Sequence, residues 1–188
     1  MKIITGTLKG MNLETLEGEN TRPTSQRVKE AIFSMLQFDI EGANVLDLFA
    51  GCGQLGLEAI SRGARKVIFN DLSKDATTIV KANVKKARVI EKCEIYSYGY
   101  EMAIRKLSNC EKFDIIFIDP PYKLECIPKI LKLLMATKVI ADNAYVICES
   151  GTEDILKEDN ELLEYYDVYR RAKYSISYIT ILRPKRGE

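Results

Sequence analysis

From Asn44 onward, short apolar runs alternate with stretches whose apolar positions recur at helical spacing, the pattern of successive βαβ units around a parallel sheet. The runs predict strands at Val45–Phe49, Lys66–Asp71, Cys93–Ser97, Phe113–Ile118 and Ala144–Glu149. Helices are expected between them at Leu55–Arg62, Lys74–Ala87, Tyr100–Leu107 and Cys126–Met135. The last stretch changes rhythm. Tyr165–Tyr169 and Ser175–Leu182 read as two strands joined by the polar link Arg170-Arg171-Ala172-Lys173, an antiparallel hairpin closing the sheet. Ahead of the sheet, Val28, Ala31, Ile32, Met35 and Leu36 give Thr24–Phe38 a helical period behind Pro23. Lys2–Thr5 and Met11–Glu14 read as a small hairpin turning at Lys9-Gly10. No internal repeat, low-complexity tract or long linker interrupts this order. The length of 188 residues suits a single α/β domain, with 1–40 as a hairpin-and-helix extension and 41–188 as the core.

Composition narrows the chemistry more than the class. With 46% hydrophobic and 29% charged residues the chain is an ordinary globular one, and a net charge of +1 leaves only local clusters to speak about partners. Arg22, Arg27 and Lys29 form one cluster; Arg170, Arg171, Lys173, Arg183, Lys185 and Arg186 form another. Each reads either as a solvated face or as a set of phosphate contacts. The sequence has no histidine, which removes imidazole triads, imidazole general bases and histidine metal sites. Five scattered cysteines without a C-x-x-C pair fit neither a zinc site nor a disulfide framework and point to a reducing cytoplasm. No apolar run approaches the length of a membrane span, and Met1–Gly6 lacks the apolar core of a signal peptide.

The chemistry concentrates in two loops. Asp119-Pro120-Pro121-Tyr122 follows directly on the apolar run Phe113–Ile118, at the carboxyl end of a predicted central strand, where open α/β sheets bind ligands. Two prolines stiffen the loop and remove two backbone donors, leaving acceptors beside a carboxylate and a ring that can stack. An amino group on a flat heteroaromatic base suits that combination. The second loop, Asp47-Leu48-Phe49-Ala50-Gly51-Cys52-Gly53-Gln54-Leu55-Gly56, joins the first strand to its helix and contains a full G-x-G-x-x-G. Its glycines admit either close approach of a ligand at a helix N-terminus or tight helix packing alone. Asp71, about 20 residues beyond the first glycine, suits ribose hydroxyls, so a nicotinamide dinucleotide enzyme competes at this point. Asp71 also stands where a helix cap would, just before Ser73-Lys74. Asp47 separates the cofactors better. A carboxylate beside the glycines repels a pyrophosphate and favours the ammonium and sulfonium of S-adenosylmethionine.

With both loops in place the chain resembles a class I, seven-stranded S-adenosylmethionine-dependent methyltransferase. More narrowly, Met1–Gly6, Thr21–Phe33 with its Arg22-Pro23-Thr24, the Asp47–Gly56 loop and Asp119–Tyr122 resemble, in that order, the bacterial 16S rRNA guanine-N2 methyltransferase family of the RsmD type. The resemblance implies a Rossmann-like sheet, mostly parallel with an antiparallel C-terminal hairpin strand. It implies S-adenosylmethionine held by Asp47, Phe49, Ala50, Gly51, Gly53, Asp71, Leu72, Tyr98 and Gly99. It further implies methyl transfer to a guanine N2 amine of 16S rRNA within a small-subunit particle. Catalysis would fall to Asp119, Pro120, Pro121 and Tyr122, and RNA contacts to Arg22, Arg27, Lys29, Arg170, Arg171 and Lys173. The chain departs from the family at Cys52 and Gln54, where small residues are commoner, and at Asp71, where many relatives have Glu. Tyr98-Gly99-Tyr100 offers no acidic partner for the adenine amine, which leaves that contact to backbone groups near Tyr98 and Gly99. The alternatives are an N6-adenine or glutamine-amide methyltransferase, a nicotinamide-dependent oxidoreductase, and a non-catalytic RNA-binding module on the same scaffold. A titration of S-adenosylmethionine against NAD separates the first pair of classes.

Overall fold

The predicted alternation resolves, in a computed structural model that describes residues 1–15, 26–108, 112–121, 124–156 and 159–185, into seven strands and six α-helices among those residues. The strands are β1 (Asn44–Asp47), β2 (Lys66–Asn70), β3 (Cys93–Tyr96), β4 (Phe113–Ile118), β5 (Ile140–Ser150), β6 (Tyr166–Tyr174) and β7 (Ser177–Pro184). The helices are α1 (Gln26–Met35), α2 (Gln54–Ser61), α3 (Lys74–Ala87), α4 (Tyr100–Leu107), α5 (Ile127–Thr137) and α6 (Asn160–Tyr165). All strands join one sheet in the order β3-β2-β1-β4-β5-β7-β6. The first five are parallel, and β7 runs antiparallel to both β5 and β6. This is the mostly parallel, Rossmann-like sheet the sequence predicts.

Strand β1 is buried at every position because both faces of the sheet are covered, as an apolar run in a parallel sheet requires. Successive side chains then divide between two cores. Val45, Phe69, Phe117 and Ile147 pack with Phe33 of α1 and Leu57 of α2 on one face. Leu46, Ile68, Ile116 and Val146 pack with Ile104 of α4 and Leu131 of α5 on the other. Polar caps set helix starts: the Ser73 side chain accepts from Ala76 N at 3.3 Å ahead of α3, and Asp159 accepts from Leu162 N at 3.2 Å ahead of α6. Pro128 stands in the first turn of α5, where its missing N–H costs nothing.

Three boundaries depart from the sequence reading. Arg170–Lys173 is not a link: it lies inside β6, paired across to Tyr178–Ile181 of β7, with a bulge between Val168 and Arg170. The turn comes later, at Ser175, whose φ of 59° takes the left-handed step. Three basic residues in four on an edge strand exposed along most of its length mimic a loop in sequence. Helix α6 has no counterpart in the sequence reading because six residues give too short a period to detect. Strand β5 begins four residues earlier than the expected Ala144.

The N-terminal hairpin is present in reduced form, as one antiparallel bridge between Lys2 and Asn12 with Ile3 N donating to Met11 O at 3.0 Å. It is fastened to the core by Glu58 of α2, whose fully buried carboxylate accepts from Ile4 N at 2.8 Å and Thr5 N at 3.0 Å. The same carboxylate pairs with Lys29 Nζ at 3.4 Å and Arg62 Nε at 2.9 Å.

Candidate active site

The strand order reverses at β1, with β2 and β3 on one side and β4 on the other, and the carboxyl ends of strands at such a switch point are where open α/β sheets take ligands. The Asp47–Gly56 loop leaves β1 and the Asp119-Pro120-Pro121 loop leaves β4, the two strands being paired with Asp47 opposite Phe117. The two chemically marked loops therefore lie side by side at this switch point.

Asp47 is 2% exposed and its Oδ2 accepts from Gly56 N at 3.0 Å, at the start of α2. Burial raises its pKa to about 7, the nearby Asp71 carboxylate adds to the rise, and the Gly56 hydrogen bond opposes it. Asp71 faces the same loop: Oδ2 accepts from Gly51 N at 2.9 Å and Oδ1 from Ser73 N at 2.9 Å. The helix cap is therefore supplied by Ser73, and Asp71 belongs to the glycine turn. Gly51 has φ +53° and nothing within 4 Å of where a Cβ would stand, so its surface is open to a ligand. Gly56 differs. A Cβ there would come within 2.2 Å of the Phe69 ring, so the third glycine serves helix-to-strand packing. Gly53, at φ 81°, caps α2, Ala50 N donates to Asn70 O at 2.9 Å, and the Phe49 ring lies 6.2 Å from Tyr100. Leu72 is 74% exposed beside Asp71.

Asn70 has no place in the sequence reading and organises this end of the sheet. It is 1% exposed, and its Nδ2 donates to Leu48 O and Tyr98 O, each at 3.1 Å, while Oδ1 accepts from Tyr98 N at 3.2 Å. One side chain thus ties the loops after β1 and β3 to the end of β2. A polar residue closing the apolar run Val67-Ile68-Phe69 was the available signal. The Tyr98 N–H and carbonyl are both engaged by Asn70, and Gly99 beside them is the N-cap of α4.

In the second loop Pro120 is buried and Pro121 exposed, and Pro121 O accepts from Leu124 N at 2.9 Å, so one of the expected outward carbonyls is locally bonded. Beyond it a pocket opens between the ends of β4 and β5, with Pro120, Pro121, Ile127, Glu149, Thr152 and Ile155 in its lining. Tyr122 and Arg22 lie outside the described residues.

Among the basic residues the structure separates what the sequence grouped. Arg27, Arg170, Arg171 and Lys173 are exposed, with Arg171 3.5 Å from Asp154 and Lys173 over the Tyr178 ring at 5.1 Å. Lys29 is not an RNA contact. It is 2% exposed, donates to Lys2 O at 2.7 Å and faces Glu58, and burial lowers its pKa against the pull of Glu58. Its helical position, one turn before the buried Ile32 and Phe33, places it inward.

Comparison with known proteins agrees with this architecture. The family model described as "Conserved hypothetical protein 95" matches residues 1–183. The ribosomal RNA small subunit methyltransferase D of Haemophilus influenzae is 34% identical over 180 residues, covering 90% of this chain and 93% of its own. That of Escherichia coli is 32% identical, covering 82% and 76%. Among solved structures, the yhhF protein of Escherichia coli superposes with a TM-score of 0.84 at 23% identity, covering 100% of this chain and 99% of its own. The ribosomal protein L11 methylase of Lactobacillus delbrueckii shares the fold at a TM-score of 0.63 and 17% identity, covering 85% and 80%. The chain belongs to the Conserved hypothetical protein 95 family, in which the ribosomal RNA small subunit methyltransferases D are found.

Proposed function

We propose that this protein transfers the methyl group of S-adenosylmethionine to the exocyclic N2 amine of a guanine in 16S ribosomal RNA. The observation that carries the reading is the pairing of an open glycine turn over a buried carboxylate with a proline-stiffened Asp119 loop, side by side at the sheet's switch point. S-adenosylmethionine fits the first loop on charge: a carboxylate whose pKa burial has lifted to about 7 gains from a neighbouring cation and would lose from a pyrophosphate. Asp47 would face its ammonium, Asp71 its ribose, Leu72 its adenine, and the Phe49-Ala50-Gly51 turn with Gly53 would form the cradle. When bound there, S-adenosylmethionine supplies a methyl group activated by a sulfonium. The names of the relatives support ribosomal RNA as the acceptor.

The protein's own residues do the rest. A guanine amine is a weak nucleophile because its lone pair is delocalised into the ring. Asp119 and the Pro120 carbonyl accept its two N–H bonds, turning the lone pair toward the methyl position and stabilising positive charge as it develops on nitrogen. The proton then leaves to water. Tyr122 stacks on the extruded base, as enzymes acting on bases taken out of a helix require. Arg27, Arg170, Arg171 and Lys173 contact RNA phosphates, so the salt slope of RNA binding should fall by about one for each phosphate contact removed. A small-subunit particle in the cytoplasm is the setting that fits such limited basic surface.

Asp47 gives this reading a pH dependence. An acid whose pKa is raised on folding holds its proton up to about pH 7, and a cation bound beside it lowers that pKa again. Cofactor binding therefore expels a proton at acid pH. The affinity for S-adenosylmethionine should be about tenfold weaker at pH 6 than at pH 8, and the dependence should vanish in Asp47→Asn. Calorimetry in buffers of different ionisation enthalpy measures the proton released; an affinity flat from pH 6 to 8 contradicts the role. The function itself is tested by offering labelled S-adenosylmethionine with 16S RNA, assembled small subunits and DNA. Label in ribosomal RNA is expected, and label in DNA alone would reject the reading.

A further inference from the structure

The end of β5 carries a buried acidic side chain to which the reaction above assigns no role. Glu149 is 8% exposed and lines the pocket between the β4 and β5 ends, with Glu125 exposed at the rim. Strands β4 and β5 are parallel with Phe117 opposite Ile147 and Ile118 opposite Cys148, so the next step sets Asp119 beside Glu149. Phe117 and Ile147 both belong to the core under α1; alternation along β5 puts Glu149 on that same face, and Asp119 follows β4 one residue beyond its last paired position. Glu149 therefore stands where the pocket meets the Asp119 loop, on a strand held on both sides by β4 and β7.

Two carboxylates on neighbouring strands offer acceptors and no donor. Guanine presents two adjacent donors on its pairing edge, N1–H and the N2 amine. Adenine presents one amine next to an N1 lone pair, which a buried carboxylate opposes. Resting on the guanine-N2 reading, we propose that Glu149 is the residue that selects the base: its carboxylate accepts the guanine N1–H while Asp119 holds the N2 amine. Glu149 thus makes N1 protonation a condition of entry, a distinction the amine-binding loop cannot make by itself.

The test uses 2,6-diaminopurine in place of the target guanine, once the methylated position is mapped. This base keeps the N2 amine and loses the N1 proton. The wild-type enzyme should prefer guanine by about 100-fold or more in kcat/KM, since a site built to bond a donor strongly rejects an analogue without it. Glu149→Gln, whose amide can donate to an unprotonated N1, should reduce that preference at least tenfold while the affinity for S-adenosylmethionine stays unchanged. A wild-type preference under tenfold overturns the assignment without recourse to any variant. So does a Glu149→Gln enzyme that loses guanine turnover yet reduces the preference by less than tenfold, which is the behaviour of a purely structural carboxylate. If the wild-type product is instead N6-methyladenosine, the guanine reading itself fails and this assignment with it; N2-methylguanosine with equal use of diaminopurine removes Glu149 alone.

Discussion

Replacing Asp119 by alanine is expected to lower kcat by about a thousandfold while the dissociation constant for S-adenosylmethionine moves by less than about threefold. The separation follows from position. Asp119 leaves β4, whereas the glycine turn, Asp47 and Asp71 leave β1 and β2, and their mutual hydrogen bonds do not pass through Asp119. Truncation removes the acceptor that orients the amine and the negative charge that meets developing positive charge on nitrogen. Both effects are larger in the transition state than in the ground state, so they fall on kcat. Asp119→Asn keeps an acceptor oxygen but loses the charge, and should retain more activity than alanine. Tyr122→Ala should also abolish turnover with cofactor binding intact, a prediction that rests on the sequence motif. Single-turnover kinetics with equilibrium cofactor binding decide the matter; an Asp119→Ala enzyme with normal turnover removes the proposed chemistry.

The largest stability effect should come from a residue far from the reacting atoms. Glu58→Ala is expected to destabilise the fold by about 3–5 kcal/mol, because it leaves the buried Lys29 ammonium without its counter-charge and strips two backbone amides of their acceptor. For a domain of this size that corresponds to a fall in Tm of roughly 10 °C. The hairpin amides of Ile4 and Thr5, Lys29 of α1 and Arg62 at the C-cap of α2 all converge on this carboxylate, so the N-terminal hairpin should loosen first. Adding Lys29→Met to Glu58→Ala removes the stranded charge and should recover part of the loss. Denaturation midpoints of the wild type, both single variants and the double variant form the cycle. Additive effects would show that the ion pair is not the source.

The sheet was legible where physics is local. Strand β4 has the predicted bounds because six consecutive apolar-framed residues end one residue before a double proline; α3 likewise follows from its period and its Ser73 cap, and α4 from its period. The two loops were legible because rigid prolines and clustered glycines are demanded by backbone geometry. What escaped was set by tertiary partners. Lys29 and Glu58 look like solvated charges in sequence and meet only when α1 packs on α2. Asn70 is an ordinary strand-end polar residue until Leu48 and Tyr98 arrive from other loops. The second half of β6, Arg170–Lys173, read as a polar link because its exposed positions supply no apolar alternation. Glu149 was visible only as the last residue of a predicted strand; the proposal that it neighbours Asp119 comes from the pairing of β4 with β5, which no local pattern encodes.

The central claim is that Asp119 and its loop present a guanine N2 amine of ribosomal RNA for methylation. It is tested most directly by incubating the protein with labelled S-adenosylmethionine and small ribosomal subunits lacking the modification, digesting the RNA to nucleosides and identifying the labelled one by mass. N2-methylguanosine, made by the wild type and absent with Asp119→Ala, is the predicted result. N6-methyladenosine, or equal label with the Asp119→Ala enzyme, would contradict it.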